Sequence, residues 1–297
     1  MTLSEIRAKA RTDLTGKWGK AVLMILAFGL IEFVIGFIIG LFEEVAVVNI
    51  VLSIVDLIIT LPLSYGLVVS FIRLKREEPV GYFDFLTIAF SNIGRVWRVY
   101  GNIILKVLPA FIVLVIAYIV LISSMVGLMT GGILGASSAV SGFSGIGIVA
   151  IIAIIASLIY LIPKALLYTL SYVVMYDHEQ MTAKQVVEES ARLMQGNRWR
   201  FICLELSFFG WIILISVLTA IFAFVPFLNI IGIIAMYVAL LFLSPYMQIA
   251  MIEFYEMLKG NHSEDKDKKE ESSEEKKPIE NSPGPKEEDQ GPIQNKE

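Results

Sequence analysis

The sequence predicts an all-α membrane protein with six transmembrane helices. They form three antiparallel hairpins, each preceded by an interfacial amphipathic helix. Three observations predict this. First, the 297 residues are 56% hydrophobic and only 18% charged, with mean hydropathy +0.73. Soluble domains run nearer 45–50% and about 25%, so a water-soluble single-domain enzyme is excluded. Second, six stretches reach the length that a bilayer core of about 30 Å requires. Third, of the connecting segments only alternate ones carry Lys and Arg.

The six spans are 21–42, 46–72, 102–123, 147–172, 202–225 and 228–252. The first is expected to be retained. The apolar run from Ala21 to Phe42 is longer than a leader's core, and no small-x-small cleavage site follows it. The segment before it carries Arg7, Lys9, Arg11, Lys17 and Lys20, whereas the 42–45 turn carries only Glu43 and Glu44. Residues 73–101 carry Arg73, Lys75, Arg76, Arg95 and Arg98, and 124–146 carry no charge. Residues 173–201 carry Lys184, Arg192, Arg198 and Arg200, and the 226–227 turn is again uncharged. Cation-rich loops stay in the cytoplasm. The alternation therefore places both termini there and the 124–146 segment outside.

Each hairpin is entered through a similar phrase. Gly16-Lys17-Trp18-Gly19-Lys20, Gly94-Arg95-Val96-Trp97-Arg98 and Gly196-Asn197-Arg198-Trp199-Arg200 each join a Gly to a Trp flanked by cations, ahead of an apolar run. Gly suits the end of a preceding helix, and Trp and cations suit the inner membrane surface. Trp18, Trp97, Trp199, Arg98, Arg198 and Arg200 are thus read as interface anchors within an internal threefold repeat. Any inner-leaflet helix start collects such residues, so the repeat and independent anchoring both stay open.

The segments before these phrases are amphipathic. Leu3, Ile6, Ala10 and Leu14 share one helical face, as do Leu86, Ala89, Phe90, Ile93 and Trp97. Val186, Val187, Ser190, Leu193 and Met194 do the same in 183–194. Thr2 with Glu5, and Thr182 with Gln185, have capping-box spacing. Such helices are expected in the inner interface or packed on the ends of the spans.

From Val107 to Pro163 there is no Asp, Glu, Lys or Arg. Residues 123–147 within it hold 7 Gly and 6 Ser, read as an external loop without fixed structure or one dipping into the outer leaflet. Pro163 is expected to kink the fourth span, with Lys164 reaching the inner surface. The last segment, 259–297, holds 8 Lys against 12 Asp and Glu, while residues 1–258 are neutral. With four prolines and almost no apolar residue, it is expected to be a disordered acidic cytoplasmic tail.

Ser190-Ala191-Arg192-Leu193-Met194-Gln195-Gly196-Asn197-Arg198-Trp199-Arg200-Phe201, followed by Leu204-Glu205-Leu206-Ser207-Phe208-Phe209-Gly210-Trp211, resembles the signature of the bacterial DUF975 integral membrane proteins. Ser171-Tyr172, Tyr176-Asp177 and Pro245-Tyr246 fit the same pattern. The resemblance covers about residues 1–258. It implies a bacterial plasma membrane protein, and it implies no activity, since the family's function is unknown.

Residues that could carry chemistry are few. Cys203 is alone and there are two histidines, His178 and His262, so neither a disulfide nor a histidine metal centre is expected. No phosphate-binding glycine loop or metalloprotease motif occurs. The expectation is no enzyme, no cofactor and no nucleic acid. The partners are the lipid bilayer and a membrane protein or second copy. Two carboxylates stand out, Glu32 in the first span and Asp56 in the second. Each lies about 15–17 Å deep at 1.5 Å per residue, where a charge is costly and no Lys or Arg is near. They are expected to share a proton, either as a proton or cation site or as a hydrogen-bonded pair that fixes helix register. Glu205, near Arg198 and Arg200, is expected in an interfacial ion pair. The preferred function is a non-enzymatic multipass protein acting in the bilayer or on membrane partners, in envelope maintenance or stress. The alternative is a small transporter or ion-conducting protein that uses Glu32 and Asp56.

Overall fold

The computed structural model describes the backbone of residues 1–133, 137–222 and 226–274, with side chains described outside 131–144, 223–227 and 262–297. Among the described residues the chain is helical, without strands. The helices are α1 (Leu3–Leu14), α2 (Trp18–Leu41), α3 (Ala46–Lys75), α4 (Asp84–Ile133), α5 (Ser137–Leu167), α6 (Ser171–Asp177), α7 (Ala183–Met194), α8 (Arg198–Phe222) and α9 (Pro226–Glu274). Six helical stretches are long and apolar enough to cross a membrane. The chain divides into two units, Met1–Lys259 and Gly260–Glu297. In the second, the backbone is helical to Glu274, and 275–297, most of the tail for which composition predicts no fixed structure, lies outside the described residues.

Burial sorts the first unit into two zones. The apolar faces of 23–42, 47–58, 104–129, 146–162, 206–221 and 228–242 are widely exposed, with Phe33, Leu41, Val47, Leu105 and Ile159 all more than 60% accessible. The core lies elsewhere, beside the cation-bearing segments. It is built from α1, the first turns of α2, the last turns of α3, the start of α4, α6, α7, the start of α8 and 243–258 of α9. A water-soluble fold would hide the first zone, because apolar surface is driven out of water. In a bilayer the same surface meets lipid at no such cost.

Both predicted capping boxes form. The Thr2 hydroxyl accepts from the Glu5 amide at 3.3 Å while the Glu5 carboxylate accepts from the Thr2 amide at 3.0 Å. Thr182 and Gln185 do the same at 3.4 and 2.9 Å. Gly16 (φ +77°) and Gly196 (φ +83°) end the helices so begun, in the left-handed conformation that glycine adopts without strain. The apolar faces of α1 (Ile6, Ala10, Leu14) and α7 (Val186, Val187, Leu193, Met194) are buried in the core.

The middle segment differs. Gly94 is helical, and the amphipathic segment 83–97 and the third span are one helix, the 50-residue α4. Likewise α4 runs on to Ile133 and α5 begins at Ser137, so most of the Gly/Ser-rich stretch read as a loop is helical. No proline lies between Pro109 and Pro163 to stop either helix, and the Ser123 and Thr130 hydroxyls bond back to Ile119 and Val126 carbonyls within the same helix. Past Pro163, α5 ends at Leu167 and the chain turns into the short α6.

α3 packs on α2, α4 and α6, and α4 packs on α5. Where α3 meets α4 the approach is close: a Cβ on Gly66 would overlap the Phe85 carbonyl.

Candidate functional site

The two carboxylates read from the sequence are brought together. The Thr60 hydroxyl, one turn past Asp56 on α3, lies 3.0 Å from Asp56 Oδ1 and 3.1 and 3.3 Å from Glu32 Oε1 and Oε2 on α2. All three residues are half-buried. A hydroxyl has one proton to donate and two lone pairs. It therefore serves one carboxylate at a time, and the arrangement closes when the other carboxyl holds a proton that it donates to the hydroxyl. No cation pairs with Glu32 or Asp56 among the described residues. The arrangement can thus hold or pass a proton, and it can lock two helices in register.

The pair belongs to a longer seam. Asn49, Ser53, Asp56 and Thr60 follow at i, i+4, i+7 and i+11, which places them on one face of α3 over about 17 Å. At the end beside the 42–45 turn, Asn49 Nδ2 donates to the Ile39 carbonyl of α2 at 3.4 Å. The sequence reading singled out the acids and missed Asn49, Ser53 and Thr60. The signal was the helical spacing of polar residues in an apolar span.

Pro62 sits inside α3. Without an N–H it leaves the carbonyl four residues earlier, that of Ile58, without its helical donor. Trp97 Nε1 reaches across from α4 and donates to the Ile58 carbonyl at 3.3 Å. Trp97 is therefore half-buried against α3, between the levels of Asp56 and Thr60. The other anchors differ. Trp18 opens α2, its ring 6.1 Å from that of Phe242, and Trp199 near the start of α8 is 72% exposed. Arg98 bonds back to the Gly94 carbonyl. Arg200 donates to the Met1 carbonyl at 2.7 Å. Arg198 lines a small cavity. Glu205, expected in an ion pair, has none among the described residues and lines an apolar cleft with Leu166, Phe209 and Met247.

A second polar group was not read from the sequence at all. Glu253 of α9 is 1% exposed and pairs with Lys9 of α1 at 2.7 Å and with Lys75 of α3, which also pairs with Glu256. Asp13 brings its carboxyl beside that of Glu253. Burial first, and then Glu253, push the Asp13 carboxyl up to about 6 against the pull of Lys75 and Lys9. The hydrogen bond to Glu253 raises the Lys9 ammonium above its ordinary value. Beside it Asp177, 4% exposed, accepts from Arg76 at 2.7 Å, Lys259 at 2.8 Å and the Tyr255 hydroxyl at 3.0 Å. Removing one partner of a buried pair leaves an uncompensated charge. These groups thus tie α1, α3, α6 and α9 into one arrangement.

The family model of DUF975, a protein of unknown function, matches residues 1–262. The chain belongs to the DUF975 family. No curated protein and no solved structure matches it. The DUF975 match spans both polar groups and all six candidate spans, and it ends where the charged tail begins.

Proposed function

We propose that this DUF975 protein is a non-enzymatic multipass protein of a bacterial plasma membrane, working in the bilayer or on membrane partners in envelope maintenance or stress. Its spans form three antiparallel hairpins and both termini face the cytoplasm. The observation that supports this reading is the division of the first unit into a widely exposed apolar zone and a buried, ion-paired core beside the cation-rich segments. That division suits a body held in lipid with its charged end in the cytoplasm. Labelling tests it. In a Cys203→Ala background, an impermeant thiol reagent applied to intact cells should modify a cysteine placed at Ser138 and spare one at Lys184, an exposed position of α7. Modification of Lys184→Cys in intact cells overturns the orientation.

A second reading has its own observation, the Glu32–Thr60–Asp56 arrangement on a polar seam. In this reading the seam carries a proton or small cation, and the protein is a small transporter or ion-conducting protein. Glu32→Gln keeps shape and hydrogen bonding and removes the titration. Loss of pH-dependent flux in proteoliposomes, with melting in detergent unchanged, supports transport. Retained cellular function with melting at or above that of the parent marks the pair as a register device.

A further inference from the structure

The seam between α4 and α5 carries two features that neither reading uses. At one end a cavity of about 290 Å³ is lined by Lys106, Glu188, Arg192, Gln195 and Arg198, with Leu167. Further along, an apolar groove of about 620 Å³ is lined by Val113, Ala117 and Val120 of α4 and Val149, Ala150 and Ala153 of α5. Its volume is within the ~300–1,000 Å³ range of ligand sites.

The charges in the cavity do not cancel. Arg192 is held by Glu189 at 2.7 and 2.9 Å, and Glu188 lies 3.9 Å from Lys184. Lys106 faces the Tyr168 ring at 5.6 Å and pairs with no carboxylate among the described residues. Arg198 Nε is buried and donates to nothing among them. A buried guanidinium donor without an acceptor is costly, and phosphate is the anion that an Arg and a Lys together suit.

Cavity and groove lie on one line. Lys106, Val113, Ala117 and Val120 are spaced 7, 4 and 3 apart, which keeps them on one face of α4. Ala150, Ala153 and Leu167 do the same on α5. Lys106 and Val113 are about 10 Å apart along the helix. We propose that α4 and α5 hold one anionic phospholipid, its phosphate between Lys106 and Arg198 and an acyl chain in the apolar groove. A free phosphate would leave the groove empty. A helix of a second copy would fill the groove and leave both cations unanswered. The proposal rests on residence in a bilayer and on neither orientation nor the carboxylate seam, so its failure leaves those readings intact.

The test uses the full chain in mild detergent with phosphatidylglycerol or phosphatidylcholine, read by native mass spectrometry and by melting. One phosphatidylglycerol should be retained and phosphatidylcholine should not. The double variant Lys106→Gln, Arg198→Gln should lose retention by about tenfold, while Arg11→Gln, at an exposed position away from the cavity, keeps it. Should the double variant not fold, Ala153→Trp fills the groove and leaves the cations in place. It should lose the lipid and keep any shift in melting caused by inorganic phosphate. Equal retention of the two lipids, retention surviving in Ala153→Trp, or millimolar inorganic phosphate alone reproducing the full shift in melting overturns the proposal.

Discussion

Trp97 shows how one side chain can carry a reason the sequence states only indirectly. Placed among cations ahead of an apolar run, it reads as an interface anchor like Trp18 and Trp199. Its indole N–H also answers the Ile58 carbonyl that Pro62 leaves open. The proline and the tryptophan are 35 positions apart in sequence, and only the packing of α3 on α4 joins them. Trp97→Phe keeps the ring and removes the donor. It should lower stability by about 1 kcal/mol, the scale of an orphaned carbonyl among neighbouring helices. Trp199→Phe, at a 72% exposed site, should leave melting unchanged. Thermal melting of the two variants side by side checks this, and equal effects would show that the bond to Ile58 adds no stability.

At the scale of elements, the α3–α4 crossing is set by a residue with no side chain. Gly66 lets the Phe85 backbone approach so closely that any Cβ must displace it, and the neighbours Tyr65, Leu67, Phe71 and Ala89 are buried around it. Gly66→Val should destabilise by about 1–3 kcal/mol, as overpacking does. Gly36→Val, where a Cβ would meet nothing within 4 Å, should be near neutral. What the sequence made legible was local. Both capping boxes, the glycines that end α1 and α7, and the six apolar helices all follow from nearest-neighbour rules. Glu32 and Asp56 were legible because charges are rare in apolar runs. Helix ends within 123–147 were not, since Gly and Ser stop a helix only when water competes for the backbone, and this stretch has apolar neighbours. Lys9, Asp13, Lys75, Asp177 and Glu253 were not legible as a group either. Each sits among ordinary cytoplasmic charges, and their partners lie up to 244 positions away.

For the whole molecule, Glu253 and Asp177 are answered by cations that all lie within Met1–Lys259. The acids buried in the core find their cations among Lys9, Lys75, Arg76 and Lys259. Lys259 is the last residue of that unit, and the DUF975 match ends three residues later. The remaining chain, rich in charge and proline, has little apolar surface to contribute to a core. Where the chain is cut should therefore matter sharply. A stop after Lys259 keeps every one of these pairs, and melting in detergent should equal that of the full chain. A stop after Leu258 removes one residue more and takes a cation from Asp177, which is 4% exposed and left with Arg76 and the Tyr255 hydroxyl. Melting should fall, because a buried carboxylate loses part of its compensation, though less than if Arg76 were lost as well. A drop already present after Lys259 would show that the tail is part of what holds the body together. Equal melting at both stops would show that the Arg76 and Tyr255 contacts alone suffice for Asp177.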